Sequence, residues 1–285
     1  MQISFADNVT VKLSKVLEDK VPTASDLRFA VAFVSYSGVA LLRPLIEQSL
    51  SGGGRVELLV GLDFFNTEAK ALRAIYEMSQ VGLPVQCYCL TSLPTATAAI
   101  YHPKLYIIAS KNETTIAIGS SNLTMGGLRT NVEANAILNA APEDELVSDA
   151  YALYNRLKFD DRRVPLDAKL IDLYQAIHDH TGKQAQMASR DAKTRELTRA
   201  FKEKVASLKR PQPTENDLYG WQKIVYERLP DGPFSNSAVY AYEREFEHYY
   251  PENQNIRPKI RQILQQLERL RLVKHLRPNL WQRNP

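Results

Sequence analysis

Three dense apolar runs, separated by stretches of helical periodicity, constrain the fold of this chain more than any other feature. LRFAVAFVS (Leu27–Ser35), VELLVGL (Val56–Leu62) and PVQCYCL (Pro84–Leu90) each have the length and β-branched content of a buried strand. Between them, Gly38–Leu50 and Glu68–Gln80 repeat apolar residues every three to four positions, as helices lying on a sheet do. An earlier helix is expected around Val11–Lys20. Alternation of this kind predicts an α/β domain with a largely parallel sheet and helices packed on it.

The pattern changes after Leu90. KLYIIAS (Lys104–Ser110) and TTIAIGS (Thr114–Ser120) are strand-like and only Lys111–Glu113 separates them, which predicts a hairpin. EANAILNA (Glu133–Ala140) adds a strand, and Glu143–Leu157 and Pro165–His178 read as helices. Lys183–Arg210 carries nine Lys or Arg against three acidic residues and few large apolar side chains, the composition of an exposed helix or helical linker. The prolines of RPQPT (Arg210–Thr214) then interrupt helix. The expected organisation is a domain over residues 1–160, a helical linker over 161–213 and a second domain over 214–285; at 285 residues and 44% hydrophobic, the chain can fill both cores.

Several function classes drop out at this level. No apolar run approaches the roughly 20 residues of a membrane span, and the first residues lack the basic-then-apolar pattern of a signal peptide. A soluble, cytoplasmic protein with no membrane partner is expected. Cys87 and Cys89, the only cysteines, sit two apart in a strand-like run and read as buried thiols on one side of it. That spacing is poor for a disulfide, and no Cys/His cluster has structural-zinc spacing, so neither a metal nor a cofactor is expected.

The residues that carry chemistry are His102-Pro103-Lys104, Gly119-Ser120-Ser121-Asn122 and Asn131-Val132-Glu133. A lone histidine at a strand mouth is more often a surface or core residue than a catalyst, and Gly-Ser-Ser-Asn after a strand is usually a turn. Together they make sense. Residues two apart share a face of a strand, so His102 and Lys104 present an imidazole and an ammonium to one ligand. A hairpin returns the chain to the same edge, where Ser120 and Asn122 add a hydroxyl and an amide. The set suits a phosphate, and Glu133 is placed to accept a hydrogen bond from one imidazole nitrogen and raise the nucleophilicity of the other.

This combination resembles the phospholipase D superfamily, whose motif is His-x-Lys, then Gly-Ser-x-Asn, and in its nuclease members a later glutamate. His102, Lys104, Gly119, Ser120, Asn122 and Glu133 fill those places over about the first 160 residues. Ala109 stands where the superfamily usually has an aspartate five residues after the lysine, a departure shared with some restriction endonucleases of the group. The resemblance implies a phospholipase D-like mixed sheet flanked by helices, and two half-sites working together, one histidine attacking phosphorus while another protonates the leaving oxygen. His178, His180, His248 and His275 lie in no second motif, and HDHTG around the first two reads as a helix end. One half-site per chain implies a homodimer with the site on its two-fold axis and no metal.

The C-terminal segment reads as three helices, Leu218–Leu229, Ser235–Tyr250 and Ile256–Val273, with Ser235 as an N-cap and Pro258 in the first turn of the third. Ile260, Ile263, Leu264, Leu267 and Leu270 form that helix's apolar face. A short hairpin over Lys274–Arg283 completes a winged helix, and from Ile256 onward eight basic residues face one acidic. The segment resembles the winged helix of Dam-replacing-type restriction endonucleases, which implies double-stranded DNA as partner. Asn255, Arg257, Lys259, Arg261 and Gln262 would enter the major groove, with Lys274 and Arg277 of the wing on the backbone or minor groove. The expected function is a metal-independent DNA endonuclease of restriction or defence type. A phosphatidyl-transfer enzyme, a DNA-binding regulator with an inactive nuclease fold, an RNA substrate, and a methyltransferase or helicase partner stay open.

Overall fold

In the computed structural model, residues 2–91, 100–190, 192–207, 212–218, 220–251 and 253–284 are described, and the chain divides into two compact units, Met1–Arg195 and Glu196–Pro285. Arg210 and Pro211 of the expected proline boundary lie outside the described residues, as does Tyr219 of the expected first C-terminal helix.

The first unit is built on an eight-stranded sheet. In chain order it comprises β1 (Gln2–Ala6), α1 (Leu13–Lys20), β2 (Asp26–Val31), α2 (Tyr36–Ser51), β3 (Arg55–Gly61), α3 (Ala69–Gln80), β4 (Val85–Leu90), β5 (Lys104–Ala109), β6 (Thr114–Gly119), β7 (Asn135–Ala140), α4 (Glu145–Lys158), β8 (Arg163–Pro165) and α5 (Ala168–Arg190). The strands lie in the order β1-β7-β6-β5-β2-β3-β4-β8. The sheet is mixed rather than largely parallel. Only β2–β3 and β3–β4 pair in parallel; the other five pairings are antiparallel. The reason is connection length: β2, β3 and β4 are joined by helical crossovers, whereas β5 and β6 are joined by a tight turn that allows only an antiparallel return.

Each face of the sheet buries a different set of helices. Leu27, Phe29, Val31, Val60, Tyr106, Ala117 and Ile137 share one core with residues of α1, α2, α3 and α5, including Leu13, Leu42, Leu72 and Tyr174. Ala30, Leu59, Leu105, Ile107 and Ile116 point the other way, onto Val147, Ala150 and Tyr154 of α4. Cys89 is buried while Cys87, facing the same side, is only half-buried, so the expectation of two buried thiols holds for one of them. His178 and His180 lie within α5, which runs on to Arg190 instead of ending at them.

Charged groups secure the far end of the sheet. Arg28 pairs with Asp26 at 2.9 Å and with Glu57 at 2.6 Å, and Lys158 of α4 reaches Glu57 at 2.5 Å. Burial alone would raise the Asp26 carboxyl, but hydrogen bonds from Arg55, Arg28 and Tyr151 hold it below its usual range.

After α6 (Ala192–Ser207), the second unit contains α7 (Trp221–Glu227), β9 (Phe234–Ser235), α8 (Asn236–Tyr240), α9 (Glu243–Tyr249), α10 (Ile256–Arg269), β10 (Val273–Arg277) and β11 (Leu280–Arg283). The single helix expected over Ser235–Tyr250 is therefore two short ones. Ser235 caps α8 as expected, accepting from the Ala238 amide. Strands β10, β11 and β9 form a small antiparallel sheet whose tip is turned by Asn279 at φ +62°, a left-handed conformation that asparagine tolerates. Ile260, Ile263, Leu264 and Leu267 of α10 are buried with Val225, Phe246 and Trp281, and Leu270 is half-buried beside them. The architecture of this unit is a winged helix.

One contact ties the first unit's helices to the loop after β6. Ser35 caps α2 by accepting from the Gly38 amide at 3.1 Å, and at Gly38 a Cβ would stand 2.3 Å from the Leu123 carbonyl oxygen. Gly38→Ala must push α2 off that backbone. We expect it to cost about 1–3 kcal/mol, read as a lower midpoint in urea unfolding; an unchanged midpoint would show that this approach can relax freely.

Candidate active site

Four chain segments converge at the end of the sheet where β2 and β6 finish and β5 and β7 begin. Cross-strand register sets the pairs: Val31 opposite Lys104, Leu105 opposite Ile118, Gly119 opposite Asn135. Backbone hydrogen bonds then join the loops beyond the strands. The Ala32 amide donates to the Pro103 carbonyl at 2.9 Å, the Ser35 amide to Leu123 at 3.0 Å, the Ser120 amide to Ala134 at 3.1 Å and the Glu133 amide to Asp7 at 3.2 Å. Gly119 is required here, because a Cβ would fall 2.1 Å from the Ala134 oxygen.

His102 and Lys104 meet as their spacing predicts. His102 is exposed and lies two residues before Lys104, the first residue of β5, whose own side chain is buried. The Lys104 ammonium donates to the His102 carbonyl at 3.0 Å and sits 2.7 Å from Nδ1 and 3.1 Å from Nε2 of the ring. Burial, and then the neighbouring Lys104 charge, hold the imidazole below its ordinary pKa. Burial also lowers Lys104, against an upward pull from Glu133. Both influences favour the neutral imidazole over its protonated form.

Ser120, Asn122 and Glu133 are brought to the same end, with roles that differ from expectation. Glu133 accepts from the Ser120 hydroxyl and from the Asn131 side-chain Nδ2 at 3.3 Å, not from the His102 ring. The β6–β7 register explains this, since Ser120 and Glu133 flank the Gly119–Asn135 pair while His102 belongs to the approach to β5. Ser120 also accepts from the Ala134 amide at 2.9 Å. The Asn122 carbonyl oxygen accepts from the Phe33 amide at 3.0 Å, and its NH2 has no partner among the described residues.

Two buried polar residues that sequence reasoning passed over hold this arrangement. Asn135 is 2% exposed; its Oδ1 accepts from the Ser121 amide at 3.2 Å, and its Nδ2 donates to the Ser121 hydroxyl at 2.9 Å and the Ala6 carbonyl at 3.1 Å. Ser121 is fully buried, and its carbonyl accepts from the Tyr106 hydroxyl at 3.0 Å. The signal was available: an asparagine opening an apolar strand, as in NAILNA, needs a partner.

The second unit presents the other predicted residues on α10 and the wing. Asn255, Arg257, Arg261, Gln262, Lys274 and Arg277 are exposed, and Lys259 is half-buried. Arg257 is held by Glu243 at 2.9 Å, and Arg261 donates to the Tyr240 hydroxyl at 3.1 Å. Arg283 instead stacks over the Tyr226 ring at 4.4 Å.

Residues 23–157 match the family model described as "Cardiolipin synthase, PLD-like domain", and residues 217–283 match the "Dam-replacing HTH domain". The chain carries a phospholipase D-like domain followed by a Dam-replacing helix-turn-helix domain. Solved structures similar to it include NucT from Helicobacter pylori (16% identity, TM-score 0.44, covering 57% of this chain and 98% of that one). Nuc from Salmonella typhimurium, titled a phospholipase D family member, has 16% identity and a TM-score of 0.44, covering 57% and 97%. Phosphatidylserine synthase from Haemophilus influenzae Rd KW20 has 15% identity and a TM-score of 0.46, covering 66% and 46%. No similar sequence was found among curated proteins.

Among the described residues, no group of three or more His, Cys, Asp or Glu side chains is placed to hold a metal ion, and no helix is long and apolar enough to cross a membrane. The charge nearest His102 in the phospholipase D-like domain is the Lys104 ammonium. Replacing it, as in Lys104→Met, removes one of the two influences that depress the imidazole. We expect the His102 titration, followed by NMR, to move upward toward that of a free imidazole; an unmoved titration would mean burial alone sets it.

Proposed function

We propose that this chain is a DNA endonuclease, of restriction or defence type, that cleaves phosphodiester bonds through a phosphohistidine on His102 in a site shared by two copies of the chain. The observation that carries the reading is an exposed imidazole, biased toward its neutral form, set against a buried ammonium, in a His-x-Lys motif that occurs once in the sequence. In the first step the neutral His102 of one subunit attacks phosphorus, and the bridging oxygen leaves with its electron pair and takes a proton from His102 of the partner subunit, which enters the step as imidazolium, the form that the anionic phosphodiester beside it favours. Water then attacks the phosphohistidine, giving its proton to that second imidazole, and the P–N bond breaks to restore His102.

Lys104 and the Asn122 NH2 would face the non-bridging oxygens, where charge builds as phosphorus becomes five-coordinate. Ser120 acts differently in this scheme. Its hydroxyl is committed to Glu133, so the pair fixes the approach to β7 and sets the field at Lys104. The winged helix would bring the chain to double-stranded DNA, with α10 in the major groove and Lys274 and Arg277 on the backbone.

Apolar exposure beside the site supports the second copy. Phe5 and Ile118 both pair with Ala136 across β7, so they share a face, and they are 74% and 42% exposed; Val132, next to Glu133, is 82% exposed. Exposed apolar side chains at this end of the sheet suit a self-complementary interface. We expect Ile118→Arg to yield a monomer in sedimentation equilibrium and to abolish cleavage with the fold retained. A dimeric, active variant would place the interface elsewhere.

The reaction itself is tested with plasmid DNA in excess EDTA. Cleavage should persist, and His102→Ala should lower it by at least about a thousandfold while leaving DNA affinity intact. Strict metal dependence, or an active His102→Ala protein, would remove the phosphohistidine mechanism.

A further inference from the structure

Phe33 lies between β2 and α2, outside both motifs, yet it neighbours three of the groups that the motifs supply. Its ring meets the His102 imidazole edge to face, with centroids 5.4 Å apart and planes at 73°. The Lys104 ammonium stands 5.9 Å from its centroid. Its amide donates to the Asn122 side chain at 3.0 Å.

The backbone around it is fixed independently of the ring. Ala32 donates to Pro103, Val34 forms a parallel bridge to Leu123, the Val34 amide donates to Thr67 at 3.3 Å, and the Ser35 amide donates to Leu123. The ring therefore projects from a rigid segment against a histidine that is otherwise exposed. An exposed imidazole with one ammonium for company can rotate about two side-chain bonds; an edge-to-face aromatic neighbour selects an orientation, because the positive edge of one ring prefers the negative face of the other.

We infer that Phe33 is a positioning residue, the aromatic wall that holds the His102 ring in the plane from which it attacks phosphorus. The inference rests on the phosphohistidine reading for its catalytic meaning, though the orientation of the ring can be measured without it. The Phe33 ring also keeps water from one side of His102, adding to the burial that depresses its titration beside Lys104, with Glu133 acting on Lys104 from the approach to β7.

The experiment compares Phe33→Leu, Phe33→Met and Phe33→Tyr, each checked for native unfolding, with the His102 signals assigned by their loss in His102→Ala. Leucine and methionine fill space without an aromatic ring. Both should let the His102 titration rise toward that of a free imidazole, exchange its two tautomers, and lower the single-turnover cleavage rate about tenfold with DNA affinity within about twofold. Tyrosine should restore all three. Unchanged His102 signals in the folded leucine and methionine variants would overturn the inference, as would shifted signals with wild-type cleavage. If the wild-type protein does not cut DNA, the proposed function fails, and the imidazole signals still decide whether Phe33 orients His102.

Discussion

The site depends on one buried asparagine. Asn135 joins β1, the loop after β6 and β7 through its single carboxamide, by way of Ala6 and both the amide and hydroxyl of Ser121. Leaving any one of these buried groups unpaired costs about 1–3 kcal/mol, so the three segments can separate only together. The Ser121 carbonyl extends the linkage to β5 through the Tyr106 hydroxyl, and the next residue, Asn122, carries it to Phe33. Ser120, Glu133, Lys104 and His102 all hang from this network, although none of them forms it.

What the sequence made legible follows from which interactions are local. The dense apolar runs of β2, β3 and β4 announce strands inside the sheet, and the i, i+2 relation alone brings His102 to Lys104. β1 was missed because QISFA sits at the sheet edge with four of its five residues exposed, so no buried periodicity marks it. Alternation of strands and helices points to a largely parallel sheet because that rule applies to the first three of those strands and stops at the hairpin; the mixed sheet was implied instead by the phospholipase D resemblance. Glu133 was paired with the wrong residue because its partner is set by β6–β7 register, which is a property of two strands and not of either sequence. Leu270 and Cys87 fall on correct faces but at their margins, where periodicity cannot tell half-burial from burial.

The winged helix shows the same division. The face of α10 that reads as apolar is buried, since a 3.6-residue repeat fixes it without reference to the rest of the chain. The break between α8 and α9 could not be read that way. Val239 and Phe246, seven apart and both buried, keep the apolar spacing of one helix across the break, while the Tyr242 amide bonds back only three residues to Val239 and the Tyr242 carbonyl opens α9 by accepting from Glu245 and Phe246. The basic residues also divide by local partner: Arg283 is committed to Tyr226 and Arg257 to Glu243, whereas Lys274 and Arg277 extend from the wing into solvent.

Under the proposed function, the electrostatics of the first unit suit an anion that the substrate would bring. Lys104 is buried and cationic beside a histidine whose protonation it opposes, and the nearest carboxylate, Glu133, is engaged by Ser120 and Asn131. Such a pair is costly when empty, because a buried ammonium without a bound carboxylate has lost water and gained little in return. An anion placed against Lys104 reverses that balance, and the proposed dimer sharpens it, since two-fold symmetry would bring two such ammonium groups toward one point. Their repulsion would oppose assembly without a phosphodiester between them and favour it with one, so that binding the substrate and completing the site become the same event.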